Sequence, residues 1–531
     1  MEDNIEILIK EAKSASDIIK SYEDIRLISH NDCDGICSAS IMAKALHREG
    51  KNFTLSFVKQ LDLLTIQELS KEKNQLTIFT DLGSGYLENL QKHIKNPMVI
   101  IDHHQTSSGI TREDIFHFNP LKFEITEDIA GSGLTYLVAR AMHYKNRELS
   151  ELAIIGGIGD SQIGEIGPHW GMLGLNKEIL KDAQECNKIR VSKGLRLWGR
   201  FTRPVHKTLQ YSTDPFIPGI TGSESASIQF LNDIGIKVKE GSRWRTLADL
   251  TEGEAKKLAS GIIMERIKAN QENPEWIFGD VYDLVDKNAD ANEFSTLINA
   301  CGKLQKPYLG VAMLLNDKET LEKAEKIMAE YRKEIGKAIQ WIQDNANSIT
   351  RAESAYFIYG GNNISDRFIS NVVSTLYGSF IPKDRPVFAF ADSENNMIKI
   401  SARAGDPLVE KGLNLKELLV QASKTVDGEG GGHAAAAGAV IPKGSEDKFI
   451  NVVNNLLTNL ANLNKSADNA GIQADDYGRE TGEERETNER EKTNGREGKI
   501  SAPAAGPPAR AGGESGGKEM ERKGLVRYFG S

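Results

Sequence analysis

Four short apolar runs in the first 165 residues each end in aspartate, and this recurrence restricts the chain to few folds. Ile25, Leu27 and Ile28 lead to His30, Asp32, Asp34 and Gly35; Thr77–Thr80 leads to Asp81; Met98–Ile101 leads to Asp102, His103 and His104; IGGIGDSQ carries Asp160. Runs this apolar suit strands buried on both faces, as in a parallel sheet. Helical patterns separate them. Strands are expected at Ile25–Ser29, Phe53–Val58, Leu76–Thr80 and Met98–Ile101, with helices at Ile36–Glu49, Leu64–Glu72, Tyr86–Ile94 and Gly131–Tyr144. Such alternation implies an α/β doubly wound parallel sheet, whose ligands collect beyond the carboxyl ends of the strands. Every acidic motif falls at such an end.

Residues two apart on an extended segment face the same way, so His30, Asp32 and Asp34 are expected to converge. Two carboxylates crowded with an imidazole repel and lose hydration unless a cation sits among them. A lone aspartate after an apolar run is commonly a turn or helix cap; four such ends on one sheet point to metal. The donors are oxygen and imidazole without thiolate, which favours Mn²⁺ or Mg²⁺ over structural zinc. Their number suits two ions about 3.5–4 Å apart sharing a bridging aspartate, an arrangement that hydrolyses phosphate esters in line. Cys33, Cys37, Cys186 and Cys301 form no CxxC pair and are read as reduced, buried thiols. Strand alternation is expected to point Cys33 away from the aspartates.

Residues 185–350 read as a helical insertion and connector with little strand signal and a long helix over Glu319–Asn345. Alternation returns after Ala355 in a smaller C-terminal α/β domain ending in a helix at Asp447–Leu463. From about Lys465 hydrophobes vanish and a disordered tail is expected. The expected division is thus a metal-binding catalytic domain (1–184), the connector (185–350), a substrate-binding domain (351–464) and the tail (465–531). The net charge of −9 gives no bulk attraction to nucleic acid, so a polyanion must be held by cations and a local basic strip. Arg200, Arg203 and Lys207, interleaved with Trp198, Phe201 and Tyr211, offer one suited to single strands, or else form an ordinary amphipathic face. In GEGGGHAAAAGAVIP, Gly431 and Gly432 let backbone N–H groups approach a phosphate, His433 adds a donor, and HAAAAG is expected to start a helix facing it. No apolar run approaches the roughly 20 residues that span a bilayer, and a cytoplasmic protein is expected.

HNDCDG (His30–Gly35), TDLGSG (Thr80–Gly85), IDHH (Ile101–His104) and GIGDSQ (Gly157–Gln162) resemble the four motifs of the DHH phosphoesterase superfamily. GGGHAAAAG (Gly430–Gly438) resembles the signature of its DHH-associated C-terminal domain. Gly199–Ser225 and Glu293–Lys303 resemble the archaeal RecJ-like exonucleases, of GINS-associated nuclease type. The resemblance implies one Mn²⁺ on His30, Asp32 and Asp81 and another on Asp34, Asp81, His103 and Asp160. It also implies that His104 serves the scissile phosphate or leaving group, that Asp102 orients an imidazole, and that Ser401 and Arg403 hold a substrate phosphate. It implies a single-strand-specific exonuclease of DNA or RNA in replication or repair, associated with the GINS complex. Alternatives are a phosphodiesterase of short oligonucleotides, cyclic dinucleotides or nucleotide bisphosphates, and a replication scaffold with vestigial activity. Leu525, Tyr528 and Phe529 resemble a sliding-clamp-binding peptide in which Arg522 stands where glutamine usually leads.

Overall fold

The computed structural model describes residues 2–462 except 108, 110, 167, 168, 213, 214, 272 and 379. The tail expectation, and with it Leu525, Tyr528 and Phe529, lies outside the described residues. The chain divides into compact units at Lys333/Glu334.

The first unit begins with helix α1 (Glu2–Lys20), strand β1 (Asp24–His30), helix α2 (Cys33–Arg48), β2 (Asn52–Val58) and α3 (Leu63–Leu69). β3 (Leu76–Thr80), α4 (Leu87–His93), β4 (Met98–Ile101), β5 (Ile115–Phe118), α5 (Gly131–Met142) and α6 (Ser150–Gly159) follow. The five strands pair in parallel in the order β2-β1-β3-β4-β5. Every residue of β3 and β4 is buried, as their unbroken apolar runs require. The chain runs outward from β1 to β2 and then crosses to β3 on the other side, so β1 and β3 flank the topological switch point. Their register pairs Ser29 with Thr80. The next residues, His30 and Asp81, therefore emerge side by side there.

Two local expectations are corrected. His30 ends a strand, but Asp32 is the N-cap of α2 and Asp34 lies in its first turn, so convergence comes from the strand-to-helix turn rather than strand alternation. Gly35 is required in that turn: a Cβ there would lie 2.2 Å from the His30 carbonyl oxygen. Cys33 is buried for the same reason, in the first turn of α2 with its Sγ 3.6 Å from the Ile155 carbonyl oxygen. The insertion also contains a sheet that its sequence hides. Ile189–Leu195 pairs antiparallel with Phe278–Leu284, which pairs with Ala289–Asp290. IRVSKGL and FGDVYDL carry glycine and charge, and they pair across more than eighty residues, so no local pattern announces them. The long helix forms at Ala324–Asp344. The insertion helix Ala291–Lys303 packs on the turn after β1, where a Cβ at Gly302 would meet the Asn31 carbonyl oxygen at 1.7 Å.

The second unit contains a six-stranded sheet in the order Ile349–Arg351, Tyr356–Gly361, Val387–Ser393, Met397–Arg403, Ala436–Pro442, Glu429–Gly432. Tyr356–Gly361 and Val387–Ser393 are parallel and the other pairs antiparallel. Phe357, Phe388, Phe390 and Phe449 fill its core. Residues 446–462 form the closing helix. HAAAAG does not start a helix: Ala436–Pro442 is a strand held on both edges, by Met397–Arg403 and by the glycine run. Alanine's helix preference, a fraction of a kcal/mol per residue, yields to two ladders of hydrogen bonds. Among the described residues, no helix is long and apolar enough to cross a membrane.

Candidate metal centre

Beyond the carboxyl ends of β1, β3 and β4 three of the motifs meet, and the fourth joins them from a helix: Asp160 caps the C-terminus of α6 rather than ending a strand of the sheet as expected. His30 Nδ1 lies 3.0 Å from an Asp32 oxygen and 3.7 Å from Asp81 Oδ2. His103 Nε2 lies 3.5 Å from Asp81 Oδ1, 3.7 Å from Asp160 Oδ2 and 3.9 Å from Asp34 Oδ2. Ligating atoms of His30, Asp32 and Asp81 fall within 4.8 Å of one another, as do those of Asp34, His103 and Asp160, and those of Asp81, His103 and His104. Asp81 thus belongs to two of these clusters and sends one oxygen toward each of two histidines. It adopts φ +59°, a left-handed conformation that aspartate tolerates better than most side chains and that is concentrated at functional sites.

The surrounding backbone is shaped around the carboxylates. Gly131 N and Ser132 N, at the N-terminus of α5, donate to Asp34 at 2.8 and 3.1 Å. A Cβ at Gly131 would meet Asp81 Oδ1 at 2.7 Å, and one at Gly156 would meet Asp34 Oδ1 at 2.6 Å. Gln162 Nε2 donates to Asp160 Oδ2 at 2.8 Å, and Gly35 N donates to Asp32 Oδ1 at 3.0 Å. Asp102 is fully buried and holds His104: its Oδ1 lies 2.7 Å from His104 Nδ1, and its Oδ2 accepts from Ser84 N. His104 itself is exposed.

The residues fit a divalent cation. His103 Nε2 is buried without a hydrogen-bond partner among the described residues. Its distances to three carboxylates are too long for hydrogen bonds but short enough for one ion to lie between them. The electrostatics of the side chains point the same way. Burial raises Asp34 well above the usual carboxylate range, with Asp81 and Asp160 adding to it. Burial likewise lifts Asp160 to about 6, outweighing the opposing pull of His103. For His103 burial works against protonation, yet Asp81, Asp160 and Asp34 carry it to about 10.

A supporting network was not anticipated from the sequence. Ser84 Oγ lies 2.8 Å from His117 Nε2 and accepts from Asn119 Nδ2 at 2.9 Å, while Asn119 Nδ2 also reaches the His104 carbonyl oxygen. The available signal was HFNP at His117–Pro120, directly after an apolar segment end. Burial pushes His117 down to about 4. Its folded pKa lies below the ordinary value of 6.5, so stability should be lost as pH falls from 6.5 through 4, by up to about 3 kcal/mol. Denaturant titrations across that range should show a steeper fall for the wild type than for His117→Gln; parallel curves would contradict the assignment.

In the second unit, Ser401 pairs with Gly438, which pairs with Gly431, and Arg403 pairs with Ala436 beside Gly432. Ser401 Oγ is buried without a hydrogen-bond partner among the described residues. Arg403 donates to Ser374 Oγ and the Ala402 carbonyl oxygen, both at 2.8 Å, and faces no carboxylate in an ion pair among the described residues. His433 is exposed at the turn, its N–H donating to the Ala436 carbonyl oxygen. Gly432 takes φ +129°, which only glycine readily adopts. These residues therefore gather at one end of the sheet.

The connector strip does not form as expected. Arg200 is committed to Asp283 at 2.6 Å and Asp290 at 2.9 Å, and Lys207 to Glu224 at 2.7 Å. Their charge is already neutralised. Arg203 instead lies over the Trp198 ring, 4.1 Å from its centroid.

A parallel sheet with carboxylates and imidazoles gathered at its switch point defines an α/β protein whose site residues could hold a divalent metal. The DHH family N-terminal domain matches residues 24–157, the DHH-CID domain residues 197–276 and the DHHA1 domain residues 355–459. An uncharacterized protein of Methanocaldococcus jannaschii is 32% identical over 447 residues, covering 83% of this chain and 94% of that one. The chain belongs to the DHH family of the phosphoesterase superfamily and has a RecJ-like fold. RecJ from Thermus thermophilus in complex with Mn²⁺ shares the fold at TM-score 0.51 and 16% identity, over 85% of this chain and 55% of that one. CDC45 from Entamoeba histolytica does so at TM-score 0.54 and 13% identity, over 86% of this chain and 98% of that one. The chain thus spans about half the length of the RecJ it matches.

Proposed function

We propose that this chain is a metal-dependent exonuclease that hydrolyses phosphodiester bonds of single-stranded DNA or RNA with two Mn²⁺ ions, Mg²⁺ serving as an alternative. The observation that carries the proposal is the orphaned His103 Nε2 facing three carboxylates, with a second cluster joined to the first through Asp81. In it, His30, Asp32 and Asp81 hold one ion, and Asp34, Asp81, His103 and Asp160 hold the other. Divalent cations supply Lewis acidity to a phosphodiester and acidify water. The chain's own part is to fix the ligands and exclude alternatives. Gly131 and Gly156, having no Cβ, leave the space that the Asp81 and Asp34 carboxylates occupy. Asp102 fixes the His104 ring through Nδ1, so its exposed Nε2 is the nitrogen left to meet a phosphate oxygen or the leaving group. Ser401, Arg403, Gly431, Gly432 and His433 are proposed to hold another substrate phosphate.

The division at 184, 350 and 464 belongs to the same proposal. So do a replication or repair role, association with GINS, and clamp binding through Leu525, Tyr528 and Phe529. The likeness to CDC45 extends to fold alone and is equally compatible with a scaffold; the complete donor set favours hydrolysis. A length series of end-labelled single strands, from dinucleotide to long DNA and RNA, separates the readings when digested with Mn²⁺. A ladder of single-nucleotide steps that EDTA abolishes is expected. Turnover confined to dinucleotides would support the short-substrate alternative, and no metal-stimulated hydrolysis of any substrate would leave the scaffold.

A further inference from the structure

Two guanidinium groups in the first unit lie against one indole ring, and neither forms an ion pair among the described residues. The carbon of the Arg203 guanidinium is 4.1 Å from the Trp198 ring centroid and that of Arg332 is 5.4 Å from it. Arg203 also approaches Tyr211, at 5.2 Å. Among the described residues neither guanidinium forms a salt bridge or hydrogen bond. Of the acids whose charge reaches them, Glu293 and Glu325, Glu293 accepts hydrogen bonds from Thr202 Oγ1 and Phe201 N. All of Trp198, Arg203 and Arg332 are partly exposed.

The local backbone is arranged for this. Gly199 takes φ +100°, and a Cβ there would press on the Arg203 side chain at 2.8 Å, so only glycine lets the arginine fold over the ring. Trp198 is anchored in turn, its Nε1 3.4 Å from Thr296 Oγ1. Cation–π contact holds each guanidinium in place but cancels none of its charge. Two like charges gathered on one half-buried ring repel, and burial with the charge of Arg332 draws Arg203 down to about 10. An arriving anion relieves that cost.

The position matters as much as the charge. Thr296 and Glu293 lie on the helix Ala291–Lys303, whose other end packs Gly302 on Asn31, between the metal-site residues His30 and Asp32. Six residues of helix separate Thr296 from Gly302, about 9 Å at 1.5 Å per residue. We infer that Arg203, Arg332 and Trp198 form a phosphate-binding step for a single strand, holding a backbone phosphate beside the helix that packs on the turn carrying His30 and Asp32, with Tyr211 available to a base. This rests on the proposed nuclease reading for the identity of the polyanion. It keeps Arg203 of the expected strip, sets aside Arg200 and Lys207, which are paired with carboxylates, and adds Arg332.

Its test does not depend on hydrolysis. Binding of a fluorescent single-stranded 12-mer is measured by anisotropy in EDTA over a range of salt. Arg203→Gln and Arg332→Gln should each weaken binding about tenfold and lower the salt slope by about 0.7, the value for one lost phosphate contact on a single strand. Arg203→Lys and Arg332→Lys should restore most of the slope. Unchanged affinity and slope in the folded Gln variants overturns the inference. Photocross-linking of the wild-type chain to a 5-iodouracil-substituted single strand covers the case where a variant misfolds: adducts at Trp198 or Tyr211 support the site, and adducts that avoid both overturn it. Binding and cross-linking here without hydrolysis in Mn²⁺ would keep the site and reject the nuclease.

Discussion

Asp81→Asn should give a folded protein that has lost about a hundred- to a thousandfold in metal-dependent phosphodiester hydrolysis. Asparagine keeps the shape of the side chain and tolerates the φ of +59° at this position, so the turn after β3 should survive. What is lost is charge. Asp81 is the carboxylate common to the cluster with His30 and Asp32 and the cluster with His103, and a neutral amide is a poor ligand to either ion. Loss of a group that positions charge at the reacting phosphate costs about 3–4 kcal/mol, and each 1.4 kcal/mol is tenfold in rate. A second readout needs no substrate. Mn²⁺ at a hundredfold excess over Kd should stabilise the wild type by about 2.7 kcal/mol, a gain the variant should largely lose. In EDTA the order should reverse. There the wild type keeps Asp34, Asp81 and Asp160 crowded in a buried site, where burial and then the charges of Asp81 and Asp160 raise Asp34, and Asp81→Asn removes one of those charges. A variant that melts lower than wild type in EDTA, or that gains as much from Mn²⁺, would remove Asp81 from the centre of the site.

The parts of this fold that could be read from sequence are those where one residue type has one physical solution. β3 and β4 are buried on both faces, so their apolar runs are uninterrupted and the aspartates that end them stand out. The convergence of the candidate site's residues was legible for that reason, although His30, Asp32 and Asp34 come together through a strand-to-helix turn and not along a strand. Where a residue's role is set by a distant partner the sequence is silent. Arg200 looks like a free cation until Asp283 and Asp290 arrive from a sheet that local patterns do not reveal. The alanines after His433 look helical until two neighbouring strands claim their backbone. Asn119 and His117 have no signature of their own; their importance lies in a buried contact with Ser84, more than thirty positions away. Tertiary pairing decided each of these cases against local preference.

The same logic makes a distant ion pair the most sensitive support of the metal site. Lys287 Nζ lies 2.9 Å from Glu151 Oε1, and both side chains are almost wholly buried, at 1% and 3% exposure. Glu151 stands in the first turn of α6, the helix that Asp160 caps at its other end. Lys287 comes from the insertion, so this pair ties the insertion to the helix that places Asp160 in the candidate site. Burial already raises Glu151 above its ordinary 4.5, outweighing the opposing effect of Lys287. Lys287→Met would remove that compensation and leave a carboxylate in an apolar setting, a change that costs about 3–5 kcal/mol for buried pairs. At a few degrees per kcal/mol, melting should fall by about 10 °C. The loss should depend on pH with a definite sign. A carboxyl whose folded pKa is raised keeps its stability at or below the unfolded value, near 4.5, and loses it as pH rises through the folded value. The deficit of Lys287→Met should thus be smallest near pH 4.5 and largest at neutral pH. Adding Glu151→Leu should recover most of it, because an apolar pair of similar volume suits the same space. If the deficit is flat with pH, or the double variant is no better than the single, Glu151 is not the group that Lys287 neutralises.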